Sequence, residues 1–122
     1  MKLEGERKLV RVFIGEQDRW GGVPLYQAIV DEARALGLAG ATVIRGFMGY
    51  GCKAHVHTAK LLELSYDLPL VVEIVDSEAN VKKLLPKLNE MVTEGLVTME
   101  TVHVILYRAD KSKKRSAGPK KA

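Results

Sequence analysis

Ala41-Thr42-Val43-Ile44-Arg45-Gly46-Phe47-Met48-Gly49-Tyr50-Gly51 begins as an apolar strand-like run and breaks into glycines. The chain then turns polar. The next strongly apolar segment, Leu68-Pro69-Leu70-Val71-Val72-Glu73-Ile74-Val75, again reads as a strand. Two strands therefore follow one another, joined by a long polar connection. Gly46, Gly49 and Gly51 remove side-chain bulk at the start of that connection. Such a segment lets a ligand or another chain approach the backbone closely. The plain alternative is a mobile hairpin connection.

Working outward, residues 8–15 read as a first strand. Val10, Val12 and Ile14 lie on one face and Leu9, Arg11 and Phe13 on the other. A polar loop follows, and Pro24 suits the first turn of a helix. Leu25, Ala28, Ile29, Ala33 and Leu36 give that helix an apolar stripe, and Gly37 is placed to end it. Residues 41–48 form the second strand and 68–76 the third. Asp76 or Ser77 can cap a second helix, whose stripe is Val81, Leu84, Leu85, Leu88, Met91 and Val92. Pro86 predicts a kink in it, and Gly95 ends it. Residues 97–108 supply the last strand, in two pieces around Glu100. The order β-α-β-β-α-β predicts an α+β, ferredoxin-like βαββαβ sandwich: a four-stranded antiparallel sheet with both helices on one face.

Two helices cover only one face of such a sheet, and an uncovered face should alternate with polar residues. Here Val71 and Val75 flank Glu73, Ile105 and Tyr107 join His103, and Leu9 and Phe13 belong to the same set. A lone chain would expose a large apolar patch. Packing of these faces in a closed, symmetric oligomer buries it, with Arg11, Glu73 and His103 as interfacial polar groups.

The chain has 122 residues, which fits one domain. The net charge is +4, but Lys111, Lys113, Lys114, Arg115, Lys120 and Lys121 sit together near the end, and subtracting those six leaves −2 for the rest. We expect a domain over residues 1–110 and a disordered basic tail over 111–122, able to touch an anionic membrane surface or nucleic acid, or simply to aid solubility. The body is slightly acidic, and nucleic acid is not the expected partner of the protein. No apolar stretch approaches the roughly 20 residues that span a bilayer. The start of the chain is charged, and Cys52 is the single cysteine. These features predict a cytoplasmic protein.

Several of these segments carry a resemblance. Gly15-Glu16-Gln17-Asp18-Arg19-Trp20, Pro24-Leu25-Tyr26, Gly40-Ala41-Thr42-Val43-Ile44-Arg45-Gly46, Met48-Gly49-Tyr50-Gly51, His57-Thr58-Ala59-Lys60 and the 68–76 run together resemble a PII-like family long catalogued as a domain of unknown function. The resemblance covers about residues 9–107. It implies kinship of fold with the PII nitrogen-regulatory proteins: ferredoxin-like homotrimers that bind adenine nucleotides between subunits and reshape a loop after the second strand. Residues 46–60 would stand where that signalling loop stands, and Arg45-Gly46-Phe47 resembles its first residues. Arg108 resembles basic residues that face phosphates. PII proteins also carry a glycine-rich phosphate loop before the last strand. Here the connection Thr93-Glu94-Gly95-Leu96-Val97-Thr98 has one glycine. Tyr50 lies in the loop but is not equated with the PII modification site.

Three residue groups can carry chemistry. Glu16, Asp18, Arg19 and Trp20 crowd one loop, where Asp and Arg can clamp a ligand or each other and the indole can stack on a base or pin the loop. His57 and Lys60, with Arg45 and Arg108, can form an anion site or stand apart as exposed charges. Cys52, His55 and His57 have zinc- or copper-ligand chemistry, with His103 of a neighbouring chain as a conceivable fourth ligand. A copper-tolerance family of similar trimeric fold keeps this metal reading in view. No nucleophile–base pairing or recognised catalytic motif is present, so no enzyme is expected.

The expectation is a homotrimeric, non-catalytic PII-like regulator. A small anionic effector, an adenine nucleotide, would sit between subunits, held by Glu16, Arg19, Trp20, Arg45, Gly46, Gly49, Tyr50, Gly51, His57, Lys60 and Arg108. The loop after the second strand would then engage a partner such as a membrane transporter or channel. The alternatives are a metal-binding trimer and a ligand-free trimeric scaffold.

Overall fold

In the computed structural model the chain is described over residues 2–50, 57–58 and 67–109. Gly51, Cys52, His55, Lys60, the side chain of His57 and the 111–122 tail lie outside the described residues. The first strand, β1, spans Gly5–Gly15. A small hairpin follows, β2 (Arg19–Trp20) and β3 (Val23–Pro24), then helix α1 (Leu25–Ala35). β4 (Thr42–Arg45) leads to β5 (Met48–Gly49), which pairs with β6 (His57–Thr58). β7 (Pro69–Asp76), α2 (Glu78–Met91) and β8 (Leu96–Val104) follow among the described residues.

The main sheet has the order β4-β7-β1-β8, and each neighbouring pair is antiparallel. With α1 and α2 on one face, this is the expected ferredoxin-like arrangement. The core lies between sheet and helices. Val10, Val12, Leu70, Val72 and Ile74 of the sheet meet Leu25, Ile29, Val81, Leu84 and Leu88 of the helices, all nearly or fully buried. Each such aliphatic side chain contributes roughly 1.5–3 kcal/mol by leaving water.

Local chemistry explains where the elements begin and end. Leu25 N–H, at the start of α1, donates to Asp18 O at 2.7 Å. At the other end Gly37 N–H bonds Arg34 O and Leu38 N–H bonds Ala33 O, both at 3.0 Å, with Leu38 and Ala33 buried. This pair of bonds closes the last turn and satisfies its free carbonyls. Ser77 caps α2 by accepting from Asn80 N–H. The helix runs unbroken through Pro86 to Met91. Asp76 is fully buried beside this cap. Its carboxylate accepts from Ala39 N–H at 2.7 Å, Ser77 N–H at 2.7 Å and Asn80 Nδ2 at 2.9 Å, tying α2 to the turn after α1.

Several expectations need correction, beginning with the second strand, expected over 41–48, which ends as β4 at Arg45, while Met48 belongs to β5. β8 is one strand, uninterrupted at Glu100, and it ends at Val104 rather than near 108. Its register sets Val102 opposite Arg7 and His103 opposite Glu6. Residues directly opposite in an antiparallel pair share a face. His103 therefore lies on the helix side of the sheet, while Val102 and Val104 lie on the open side with Arg11 and Glu73. Gly95, expected to end α2, instead stands four positions beyond it, immediately before β8. Among the described residues, no helix is long and apolar enough to cross a membrane.

Candidate functional site

Three segments meet at one end of the sheet: the turn after β1, the exit from β4 and the start of β7. Backbone bonds join them. Glu16 N–H donates to Leu68 O at 2.8 Å, and Gly46 N–H to Pro69 O at 2.6 Å. Two carboxylates hold the turn itself. Asp18 accepts from Gly15 N–H at 3.0 Å, and Asp67 accepts from Gln17 N–H at 2.8 Å. A Cβ added at Gly15 would stand 3.1 Å from both Asp67 carboxylate oxygens.

The glycines after β4 have a packing role as well. A Cβ on Gly46 would lie 2.9 Å from Pro69 Cγ, and one on Gly49 would lie 3.2 Å from the same atom. Absent side chains let the β5–β6 ribbon leave the sheet tight against Pro69. Gly95 closes the fourth side. Its φ is +154°, and a Cβ there would stand 2.5 Å from Phe13 O.

These segments enclose a cleft of about 400 Å³. Phe13, Met48, Tyr50 and Pro69 give it an apolar wall, Gly15, Gly46, Gly49 and Gly95 expose backbone to it, and Asp18, Asp67 and Glu94 make its described side chains acidic. No lysine or arginine lines it among the described residues.

Of the residues singled out from the sequence, Asp18, Gly46, Gly49 and Tyr50 line this cleft. Glu16 and Arg45 do not line it but pair with each other beside it, Arg45 Nη2 lying 3.0 Å from Glu16 Oε2. Asp18 and Arg19 do not clamp one another. Arg19 Nη2 instead donates to Gly22 O at 2.6 Å, across a turn in which Gly21 and Gly22 have φ of 58° and 82°. That geometry closes the two-residue β2–β3 hairpin. Trp20 is half-buried and packs on the core cluster. Arg108 is exposed beyond β8, in a segment tied down at Tyr107, whose N–H donates to Glu4 Oε2 at 3.2 Å. His57 belongs to β6 by its backbone. Among the described residues no cluster of His, Cys, Asp and Glu is arranged to hold a metal.

Sequence reasoning missed Asp67, Pro69 and Glu94 as cleft residues. Asp67 and Pro69 stand in one segment and Glu94 in another, and only the tertiary fold brings them beside the turn after β1. The pairing of Asp67 with the turn after β1 had one signal, an aspartate just before a strand, but that signal names no partner.

The open face of the sheet begins beside the cleft. One cross-strand row holds Leu96, Phe13, Val71 and Ile44, with Leu96, Phe13 and Ile44 exposed at 56%, 37% and 45%. The next row is polar: Thr98, Arg11, Glu73 and Thr42. Arg11 Nε lies 2.9 Å from Glu73 Oε2, and Nη1 lies 3.6 Å from Glu100 Oε2. The hydrogen bond to Glu73, with the charge of Glu100 adding to it, raises the Arg11 pKa above its usual value. Leu9, on the same face, is already buried within the chain.

Comparison with known proteins agrees with this architecture. The DUF190 family model, described as "Uncharacterized ACR, COG1993", matches residues 7–104. A UPF0166 protein of Aquifex aeolicus (strain VF5) is 39% identical over 100 residues, 82% of this chain and 94% of that protein. A UPF0166 protein of Methanocaldococcus jannaschii is 35% identical over 98 residues, 80% of this chain and 90% of that protein. Among solved structures, CPII from Thiomonas intermedia K12, bound to ADP and bicarbonate, superposes with a TM-score of 0.62 at 18% identity, over 84% of this chain and 91% of that one. A second structure of CPII, named as a nitrogen regulatory PII-like protein and bound to ADP, AMP and bicarbonate, gives 0.59 at 17%, over 85% and 99%. Those likenesses are of fold. The family match spans most of the chain, and the protein belongs to the DUF190 family, built on the fold of the PII-like proteins.

Proposed function

We propose that this protein is a cytoplasmic, non-catalytic PII-like regulator. It is a homotrimer whose clefts are completed between subunits and take a small anionic effector, an adenine nucleotide. Occupancy changes the segment after β4, residues 46–60, and with it the affinity for a protein partner, such as a membrane transporter or channel. The domain spans residues 1–110, and the basic 111–122 tail adds affinity for an anionic surface.

One observation carries this reading. The 400 Å³ cleft lies where the glycine-bearing exit of β4 meets the turn before β8, beside the apolar row of the open face. The fold is shared with CPII, whose structures hold ADP. Phe13, Met48 and Tyr50 suit a planar apolar body such as a base. The acidic wall does not suit phosphates. The phosphate end must therefore meet cations outside it: Arg45 of the same chain and Arg108 of a neighbour, with Arg19, Trp20, Gly51, His57 and Lys60 forming the remainder of the site.

Thermal unfolding against ATP, ADP, AMP and zinc tests the reading, since a ligand bound only by the folded state raises the midpoint. A rise with an adenine nucleotide is expected. A rise with zinc alone would move the assignment to Cys52, His55 and His57, and no rise at all would leave a trimeric scaffold without a small ligand.

A further inference from the structure

We infer that the Glu16–Arg45 ion pair is a latch at the base of the β5–β6 ribbon, opened when an anionic effector takes the Arg45 guanidinium. This inference rests on the function proposed above and names how that site is regulated. Arg45 is the last residue of β4 and immediately precedes Gly46, which lines the cleft. Its Nη2 alone faces both carboxylate oxygens, at 3.0 Å from Oε2 and 3.1 Å from Oε1. That contact is not the two-nitrogen fork of a strong arginine–carboxylate pair. Nε and Nη1 make no bond among the described residues, so a donor edge remains for a phosphate or carboxylate.

Exposure favours the exchange. The Arg45 side chain is 57% exposed, against 25% for Glu16. An exposed pair of this kind shifts an equilibrium by less than about five-fold. A two-nitrogen bond from arginine to phosphate is stronger and displaces it.

The geometry couples the pair to the ribbon. The backbones of Glu16 and Gly46 are both pinned to the start of β7, at Leu68 O and Pro69 O. The side-chain pair adds a direct tie between the turn after β1 and the exit of β4. Beyond Gly46 the chain pairs again only at Met48, opposite Thr58. The direction taken at residues 45 and 46 therefore sets where Met48 and Gly49 lie. An anion that draws Arg45 away from Glu16 removes one of the constraints on that direction and loosens the ribbon base.

The test uses the full chain, ADP and inorganic phosphate as probes, and the variants Glu16→Gln and Arg45→Gln. Calorimetry reads affinity, and hydrogen exchange reads the amides of residues 46–50. We expect Glu16→Gln to bind ADP up to about five-fold more tightly, because the competing carboxylate charge is gone. Its Met48 and Gly49 amides should exchange faster without ligand, and inorganic phosphate, which has no base to cover them, should speed exchange in the wild type but add little in the variant. Arg45→Gln should lose at least ten-fold in affinity while exchanging like Glu16→Gln. Weaker ADP binding by Glu16→Gln would overturn the inference, since Glu16 would then present Arg45 to the effector rather than withhold it. Unchanged exchange in Glu16→Gln would overturn it as well. If the wild type binds neither probe, the proposed function fails, and exchange alone decides the latch: faster in Glu16→Gln supports it, unchanged defeats it.

Discussion

At Gly95 a methyl group has nowhere to go. The carbonyl of Phe13 would stand 2.5 Å from it, and φ of +154° is one that other residues avoid. Gly95→Ala should destabilise the fold by about 1–3 kcal/mol from backbone strain alone, read as a lower urea midpoint at unchanged slope. Asp76 is the second critical single residue. Replacing it with alanine strips partners from two backbone donors and the Asn80 amide. With about 1–3 kcal/mol for each buried donor left unsatisfied, a loss near 3 kcal/mol is expected in the same assay. Glu4 acts through charge. The backbone N–H groups of Glu4 itself and of Tyr107 hold its pKa below 4.5. A carboxylate whose folded pKa is depressed adds stability above its unfolded pKa and loses it as pH falls through the folded value. The gap in unfolding midpoint between the wild type and Glu4→Gln should therefore be constant above about pH 4.5 and close below it. A gap that widened in acid would contradict the Glu4–Tyr107 tie.

Among the elements, the long ones were legible and the short ones were not. Leu25, Ile29 and Ala33 in α1, and Val81, Leu84, Leu88 and Met91 in α2, repeat at helical spacing and are buried. In β7, Leu70, Val72 and Ile74 alternate with half-buried neighbours, as a strand half-covered by helices requires. The β2–β3 and β5–β6 ribbons are pairs of two-residue strands, too short for any period to show. β8 misled for a different reason. The helices lie over β1 and β7 and leave this edge strand uncovered, so Val97 and Met99 are exposed on the helix side, and hydrophobicity does not separate its faces. Only the register with β1 assigns His103. The acidic wall of the cleft was legible only at Asp18, because Asp67 and Glu94 join it from two distant segments. The ribbon base yields an element-scale prediction. Gly49→Val would crowd Pro69, where even a Cβ stands 3.2 Å from Cγ. It should weaken the thermal shift given by ADP several-fold in effective affinity while leaving the oligomer intact, as sedimentation would show. An unchanged shift would remove β5 from the effector site.

For the whole molecule, the open sheet face and the cleft are parts of one design. Phe13 and Val71 belong to both the exposed apolar row and the cleft wall, so a second chain packed on that row also bounds the cleft. Ile44 and Leu96 belong to the row but not to the cleft. They allow assembly to be disrupted without touching the site directly. Ile44→Glu with Leu96→Glu places two charges on a surface that the proposed trimer would make dry, at a cost of several kcal/mol per buried charge. The double variant should sediment as a monomer that still folds. Calorimetric titration of ADP into the wild type and into this variant is the most direct test of a site shared between subunits. The wild type should bind ADP, and the monomeric variant should lose at least ten-fold in affinity. Equal binding by the folded monomer, or no binding by the wild type, would contradict the account.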